Sequence, residues 1–170
     1  MRRVLSYFGT AEEQPLTGKR PMNSTKQVTG SCLCGGVKFT GTPSERGTGV
    51  CHCKMCRTQS SGPFFAVRMD NGVTLTEQRG LKWYDASDIG ERGFCSECGS
   101  TMFWRSKNSA PGQWAASAGT LPDKAVAPIF EHIWNDDKPP YYDFADASPR
   151  RTAAECLAGS PPPKPHGETS

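Results

Sequence analysis

The sequence predicts an all-β fold, and three kinds of observation support this prediction. Short segments alternate apolar and polar residues, as half-buried strands do. Turn residues separate these segments at regular intervals, and no segment has a sustained helical period. The chain of 170 residues is long enough to bury the core of one domain.

Seven segments have the pattern of a strand. In "GGVKFTG" Val37 and Phe39 share one face, and in "GVTLTEQ" Val73 and Leu75 share one face. The later segments are rich in aromatic or apolar residues and end at turn residues. In chain order the predicted strands are "GGVKFTG" (35–41), "PFFAVRM" (63–69), "GVTLTEQ" (72–78), "LKWYDAS" (81–87), "STMFWRS" (100–106), "GQWAASAGTL" (112–121) and "PIFEHIWN" (128–135).

Stretches rich in Gly, Pro, Asn, Asp and Ser predict the turns between these strands. The Asn-Gly pair in "DNG" is a strong hairpin signal, because it supplies the positive φ angles of a two-residue turn. The predicted turns are "GTPSERGTG" (41–49), "DNG" (70–72), "DIGERG" (88–93) and "SAPG" (109–112).

The two ends differ from the middle of the chain in composition. Residues 1–26 have no sustained period and contain two prolines, so we expect a flexible N-terminal arm. Residues 27–146 contain all the predicted strands and form the predicted folded domain. Residues 147–170 are rich in Pro, Ser and Gly, which predicts a disordered tail, and we interpret the isolated Cys156 in this tail as a bystander.

Charge and hydropathy argue against several classes of protein. The net charge is +3, with 17 acidic residues mixed among 20 basic ones, so a nucleic-acid partner is not expected. No apolar run approaches the roughly 18 residues of a membrane span, and the N-terminus lacks the apolar core of a signal peptide. We interpret the protein as cytoplasmic, where paired cysteines indicate metal binding or catalysis rather than disulfides.

Two cysteine pairs have the spacing of a structural zinc site. Cys32 and Cys34 in "SCLCGG" share one face if this segment is extended. Cys95 and Cys98 in "FCSECGS" are followed by glycine, as in a zinc knuckle. Together the pairs supply the four thiolates of a closed site. The alternative is two reducible disulfides or unpaired core cysteines.

A second cluster lies in "VCHCKMCR" (50–57), where Cys51, Cys53 and Cys56 have no fourth cysteine in the predicted domain. Three protein ligands and an open position are typical of a reactive zinc site. His52 points away from its neighbours if this segment is a strand. His132 is a more distant candidate, which we expect to be packed or substrate-facing. If either histidine completed the site, it would be a second structural one.

These motifs, "GSCLCGGV", "CHCKMCR" and "RGFCSECGS" in this order, resemble the glutathione-dependent formaldehyde-activating enzyme family, whose domain also occurs in centromere protein V. The resemblance covers residues 29–146 and includes "HIWNDDKPPYYD" (132–143). It implies a β-tent of several coiled antiparallel sheets pinned by two zinc ions per chain. Thr58 stands where the family often has a second basic residue. The implied ligands are Cys32, Cys34, Cys95 and Cys98 for a structural zinc, and Cys51, Cys53 and Cys56 for a second zinc.

The predicted chemistry of the second site follows from its sulfur ligands. Three thiolates leave a bound zinc at about −1 charge, which makes it a poor activator of water. A further thiol suits such an ion as fourth ligand and loses its proton on binding. The resemblance implies a thiol of the glutathione class and formaldehyde, or a similar small aldehyde, as substrates. The predicted activity is that of a carbon–sulfur lyase, or in the other direction an S-(hydroxymethyl)glutathione synthase.

Cationic contacts are expected because glutathione carries two carboxylates. Arg57 directly follows the second cluster and is the predicted active-site cation, since it can also offset the charge of the zinc thiolates. Lys54 and Arg92 also lie close to the motifs, but a solvated surface position fits both at least as well.

Other functions fit the motifs less well. A zinc deaminase would need a Pro-Cys-x-x-Cys after its glutamate, and none follows Glu97. A thiol–disulfide oxidoreductase would place the Cys95-x-x-Cys98 pair in a βαβ unit, which the strand pattern lacks. The remaining alternative is a non-catalytic two-zinc β module that binds protein or nucleic acid.

Overall fold

Nine strands form the framework of the computed structural model, which describes residues 26–108 and 114–158. The strands are β1 (Val28–Ser31), β2 (Val37–Cys51), β3 (Phe64–Gln78), β4 (Leu81–Ser87), β5 (Gly90–Cys95), β6 (Thr101–Ser106), β7 (Trp114–Ser117), β8 (Ile129–Ile133) and β9 (Arg150–Arg151). They join one sheet in the order β4-β5-β6-β7-β3-β2-β8-β9, and β1 pairs with the first part of β2.

The helices are short. The described residues contain α1 (Lys54–Ser60), α2 (Ala153–Leu157) and 3-10 turns at Ala118–Thr120, Asp123–Ala125 and Asn135–Asp137. No helix in these residues has the length and apolar character needed to cross a membrane.

The predicted all-β class is confirmed, with one difference in how the strands are joined. The family resemblance implies several antiparallel sheets, whereas the structure has a single mixed sheet. Most neighbours are antiparallel, but β2–β8 and β8–β9 are parallel pairs. The chain reaches β8 after β7 through two 3-10 turns, and this connection brings it back beside β2 in the parallel direction.

Two predicted turns are wrong, and the predicted turn at 88–93 is wrong from residue 90 onward, where β5 begins. Residues 41–49 lie inside β2 and residues 70–72 lie inside β3, because these strands pair with each other on both sides of the expected turns. The register between β2 and β3 shifts at Gly41/Pro43 and again at Pro43/Thr48, as it does at β-bulges. Gly72 has a φ of 80°, so the Asn-Gly signal produces a local bend within β3 rather than a hairpin turn.

The other strand predictions agree with the structure. The segments 81–87 and 100–106 correspond to β4 and β6, and a turn at residues 88–89 separates β4 from β5, which was not among the predicted strands. Strand β7 begins within the predicted segment 112–121, and β8 lies within 128–135. The predicted turn at 109–112 lies outside the described residues.

The core divides into two clusters of buried side chains. The larger cluster contains Val37 and Phe39 from β2, with Phe39 packed edge-on against Phe103 at 4.9 Å between ring centroids. A Cβ on Gly30 would clash with the Phe39 ring, so strand β1 needs glycine at this position. The smaller cluster surrounds Phe64 at the far end of β2 and contains the second group of cysteines.

The composition of residues 147–170 predicts disorder, but the structure gives residues 150–157 regular secondary structure. Strand β9 pairs with β8, and Thr152 and Glu155 form a capping box at the start of α2. The amide of Ala153 donates a hydrogen bond to Asp136 Oδ1 at 2.8 Å. The Thr-x-x-Glu pattern is a helix-start signal that composition alone hides. Residues 1–25 and 159–170 lie outside the described residues, so most of the predicted arm and part of the tail are not described.

Candidate functional site

The first cysteine group is brought together by two glycine turns. Cys32 and Cys34 lie in the connection from β1 to β2, Cys95 is the last residue of β5, and Cys98 lies in the turn that follows. The next glycine after each pair, Gly35 and Gly99, has a φ of 74°, which favours glycine. The four sulfur atoms lie within 4.8 Å of one another.

The sulfur geometry of this first group fits a tetrahedral zinc ion. Sulfur atoms about 2.3 Å from a tetrahedral zinc lie roughly 3.8 Å apart. The Cys32–Cys34 and Cys34–Cys95 sulfur distances are 3.5 and 3.7 Å. The amide of Val37 donates to the Cys32 sulfur at 3.2 Å, and a hydrogen bond with Ser100 lowers the pKa of Cys98 to about 5. These contacts favour the thiolate forms that a metal needs.

The second cysteine group lies where β2 ends and α1 begins. Cys51 is the last residue of β2, Cys53 caps the N-terminus of α1, and Cys56 lies in its first turn. The three side chains are buried, with 9%, 7% and 4% exposure, and their sulfur atoms also lie within 4.8 Å of one another. The last residue of β2, the N-cap of α1 and the first turn of α1 therefore each bring one thiol to the same point.

The contacts between these thiols favour a negative charge in the cluster. Hydrogen bonds from Cys51 and Cys56 hold the pKa of Cys53 well below its ordinary value. The same hydrogen bond with Cys53 raises the pKa of Cys51, because Cys51 is its donor and must keep its proton. The amide of Cys56 also donates to the Cys53 sulfur at 3.5 Å. A thiolate is thus stabilised beside two further soft donors, a set that fits zinc.

The second group has three candidate ligands, not four. In the part of the chain that the structure describes, no further Cys, His, Asp or Glu ligand atom joins this group. Both nitrogens of His52 are used elsewhere, since Nδ1 lies 2.9 Å from the Tyr142 hydroxyl and Nε2 lies 2.9 Å from His132 Nδ1. His132 is fully buried, and its Nε2 lies 3.1 Å from Asp146 Oδ2. The expectations that His52 faces away and that His132 is packed agree with these contacts.

The three candidate cations have different positions. Lys54 is exposed at the start of α1. Arg57 is partly buried and donates from Nε to the carbonyl oxygen of His52 at 2.8 Å, so part of its guanidinium supports the backbone. Arg92, for which the sequence fits a solvated position equally well, is only 6% exposed. It donates from Nη2 to the Cys56 sulfur at 3.4 Å and from Nη1 to Gln59 Oε1 at 3.1 Å.

Arg92 is the candidate cation whose position the sequence does not predict, since a solvated surface position fits its sequence context at least as well. It lies in β5, three residues before Cys95, and its contact Cys56 is 36 residues away. In the sequence "GERG" (90–93), Arg92 follows a glutamate and precedes a glycine, which is an ordinary context for a charged surface residue. Its burial depends on α1 packing over β5, which no local spacing reveals. The Arg92 guanidinium provides a positive charge where the three thiols concentrate negative charge.

An open cleft of about 760 Å³ lies beside this group. Helix α1 forms one wall with Lys54, Met55, Thr58 and Gln59, and strands β4 and β5 form the other with Tyr84, Ala86, Arg92 and Phe94. Arg92 lines the cleft and also contacts Cys56, so it connects the open volume with the thiol cluster.

Comparison with known proteins agrees with this geometry. The chain is 30% identical over 137 residues to an uncharacterized lyase of Schizosaccharomyces pombe, covering 75% of this chain and 93% of that protein. It is 27% identical over 142 residues to a Halomonas elongata protein provisionally named a glutathione-dependent formaldehyde-activating enzyme, covering 78% of this chain and 87% of that protein. The sequence profile described as glutathione-dependent formaldehyde-activating enzyme matches residues 27–137. This chain therefore belongs to the glutathione-dependent formaldehyde-activating enzyme family.

Proposed function

We propose that this protein is a zinc-dependent carbon–sulfur lyase that joins a thiol of the glutathione class to formaldehyde or a similar small aldehyde, and reverses this reaction. The observation that carries the proposal is the three-thiol cluster of Cys51, Cys53 and Cys56, which no fourth ligand completes within the described residues. Family membership and the names of the relatives support the same reaction class.

We assign two zinc ions to each chain. Cys32, Cys34, Cys95 and Cys98 would hold a structural ion, and their sulfur distances fit that role. Cys51, Cys53 and Cys56 would hold the reactive ion. When bound there, zinc supplies a soft cation that holds an incoming thiol in its thiolate form.

The residues of the chain control charge and access around that thiol. Arg92 donates to Cys56 and offsets the negative charge that a fourth sulfur adds. Arg57 holds the carbonyl oxygen of His52 and so fixes the backbone between two ligands. The buried position of the three cysteines limits access of water to the reacting sulfur.

The reaction balances without an oxidant or reductant. The sulfur forms a bond to the aldehyde carbon, and the carbon–oxygen double bond becomes a single bond. The proton lost by the thiol is matched by one gained at the new hydroxyl oxygen. A free thiol with a pKa near 8.5 is only a few per cent ionised at pH 7, so ionisation at the site raises the reactive fraction by roughly 30-fold. Weaker intrinsic nucleophilicity removes part of this gain, which suits an easy addition to an aldehyde.

All eight cysteines are free thiols in the structure. We propose a cytoplasmic location, where thiols stay reduced and available to a metal.

Cobalt substitution tests the proposed function. Glutathione is expected to change the visible spectrum of one of two bound cobalt ions, whereas S-methylglutathione leaves it unchanged. The methylated sulfur cannot become a thiolate, although the ligand keeps both carboxylates. Cys56→Ser is the matched control, since it removes one ligand of the reactive group and leaves the four cysteines of the first group intact. A two-cobalt spectrum indifferent to glutathione would overturn the proposal in favour of a non-catalytic two-zinc β module that binds protein or nucleic acid.

A further inference from the structure

We infer that the cleft between α1 and strands β4 and β5 binds a carboxylate of the thiol substrate, with Arg92 as the buried donor. This inference rests on the proposed function, because it assumes that the substrate sulfur enters the second cysteine group. It assigns the carboxylate contact to Arg92, whereas the sequence favours Arg57 for that role.

The hydrogen bonding of Arg92 is the first reason. Its Nε is buried and has no hydrogen-bond partner. Nη1 and Nη2 each carry two hydrogens, but each nitrogen has one acceptor in the structure. The acceptor of Nη1 is Gln59 Oε1, and the acceptor of Nη2 is the Cys56 sulfur. A buried guanidinium with unused donors is costly unless an acceptor arrives. A carboxylate is the acceptor that matches its planar set of donors.

The charge of the cleft is the second reason. Among the described residues that line it, Lys54 and Arg92 are cationic and none is acidic. Lys54 is exposed at the rim, whereas Arg92 is buried in the wall. The cleft therefore attracts an anion and places its buried donor away from bulk water, where an ion pair is stronger.

The apolar walls are the third reason. Met55, Ala86 and Phe94 line the cleft, and the Tyr84 ring, which is 64% exposed, stands at its edge. These side chains can cover the carbon skeleton of a ligand and exclude water from the Arg92 contact. The volume of about 760 Å³ is sufficient for a small organic molecule.

The position of Arg92 connects this site to the reacting sulfur. Its Nη2 lies 3.4 Å from the Cys56 sulfur, so a carboxylate on the same guanidinium lies next to the second cysteine group. One molecule that carries both a thiol and a carboxylate can reach both. Arg57 is less suited, because its Nε is already bonded to the His52 carbonyl oxygen at 2.8 Å.

A matched pair of thiols tests the inference. 3-Mercaptopropionate and 3-mercaptopropionamide have the same skeleton, and only the first carries a carboxylate. Each is titrated into the cobalt-loaded full chain, and binding is followed in the visible spectrum. We expect the acid to bind about tenfold or more tightly than the amide, the size of one charge-assisted contact. Arg92→Met removes this preference, and Arg57→Met retains it.

A second pair of variants avoids the buried arginine. Thr58 is an exposed residue of α1 that lines the cleft. Thr58→Glu is expected to weaken binding of the acid more than binding of the amide, because it adds a negative charge near the carboxylate. Thr58→Gln changes the size of this side chain without the charge and affects both ligands equally. These variants decide the question if Arg92→Met fails to load cobalt.

Nuclear magnetic resonance gives a readout that is independent of the cobalt spectrum. In the zinc-loaded protein, the acid shifts the Nε–H signal of Arg92 and the amide does not. Arg105 is the reference, since its Nε already donates to Glu91 Oε2 at 2.8 Å.

The outcomes separate the two proposals. If glutathione and both small thiols leave the cobalt spectrum unchanged, the proposed function fails and the inference fails with it. If glutathione changes the spectrum and neither small thiol does, the inference is overturned while the proposed function stands. If both thiols bind equally well, or if the preference survives Arg92→Met and is lost in Arg57→Met, the inference is overturned while the proposed function stands. The inference is also overturned if 3-mercaptopropionate binds the Thr58→Glu and Thr58→Gln variants with equal affinity.

Discussion

His52 Nε2 lies 2.9 Å from His132 Nδ1, although the two residues are 80 positions apart in the sequence. Asp146 accepts from His132 Nε2, so His132 Nδ1 is the acceptor for His52 Nε2–H. His52 Nδ1 then accepts from the Tyr142 hydroxyl. This chain of side chains ties the junction of β2 and α1, where Cys51 and Cys53 lie, to the segment after β8.

Replacing Asp146 with Asn should destabilise the protein at neutral pH. A hydrogen bond with Ser148, and further contacts with His132, hold the pKa of Asp146 well below its ordinary value of 3.8. A lowered native pKa means that the charged form stabilises the fold above pH 3.8, and this contribution is lost as the pH falls through the native pKa. We expect a loss of about 1 kcal/mol at pH 7, a modest value because the side chain is 29% exposed. Urea unfolding of both proteins at pH 7 measures the difference in free energy of unfolding, and equal values for the two proteins contradict the assignment.

His132→Phe should be more costly than Tyr142→Phe. The first change leaves the buried His52 Nε2–H without its acceptor, with an expected loss of about 2–3 kcal/mol in the free energy of unfolding. The second removes one hydroxyl donor and should cost about 1 kcal/mol. Equal losses in urea unfolding would show that the two histidines do not form a connected chain.

The two cysteine groups should respond differently to serine substitution. Cys98→Ser breaks the closed group and should unfold or aggregate the protein, because metal binding and folding are coupled at such sites. Cys56→Ser should leave a folded protein with one zinc. Metal analysis and circular dichroism measure both effects, and equal collapse of both variants would disprove the division into structural and reactive sites.

Truncation after residue 149 should lower the stability of the protein. It removes β9 and α2, including the Arg151 Nη1 contact with Glu131 Oε2 at 3.4 Å and the Ala153 hydrogen bond to Asp136. Truncation after residue 158 is the control, since the Pro-rich composition beyond it predicts no packing. A fall of several degrees in melting temperature is expected for the first truncation only, and equal melting temperatures would show that β9 and α2 contribute nothing.

Local spacing predicts those features of the fold and site that depend on neighbouring residues. The two cysteine groups follow from short motifs and their glycines, and β-strand alternation places His52 on the face opposite Cys51 and Cys53. Strands β4, β6 and β8 follow from apolar segments bounded by turn residues. In each case the signal and the structure involve the same few residues.

Features that depend on distant pairing could not be predicted in this way. Asn71-Gly72 has the local chemistry of a hairpin, but pairing of β3 with β2 on both sides turns it into a bend. Arg92 has the pattern of a surface charge until α1 covers it. The His132–Asp146 contact depends on how the chain returns after β8, which no motif specifies.

The two cysteine groups differ in the length of chain that each one closes. Cys51 and Cys56 are five positions apart, whereas Cys34 and Cys95 are separated by 61. By loop-closure entropy, joining the distant pair costs the unfolded chain about 2 kcal/mol more than joining the near pair. An ion at the closed group therefore acts as a cross-link between the two halves of the domain and can assemble only after Cys95 has been synthesised. The proposed reactive group needs only a short stretch of nascent chain, so under the two-zinc proposal it would be complete before the proposed structural group exists.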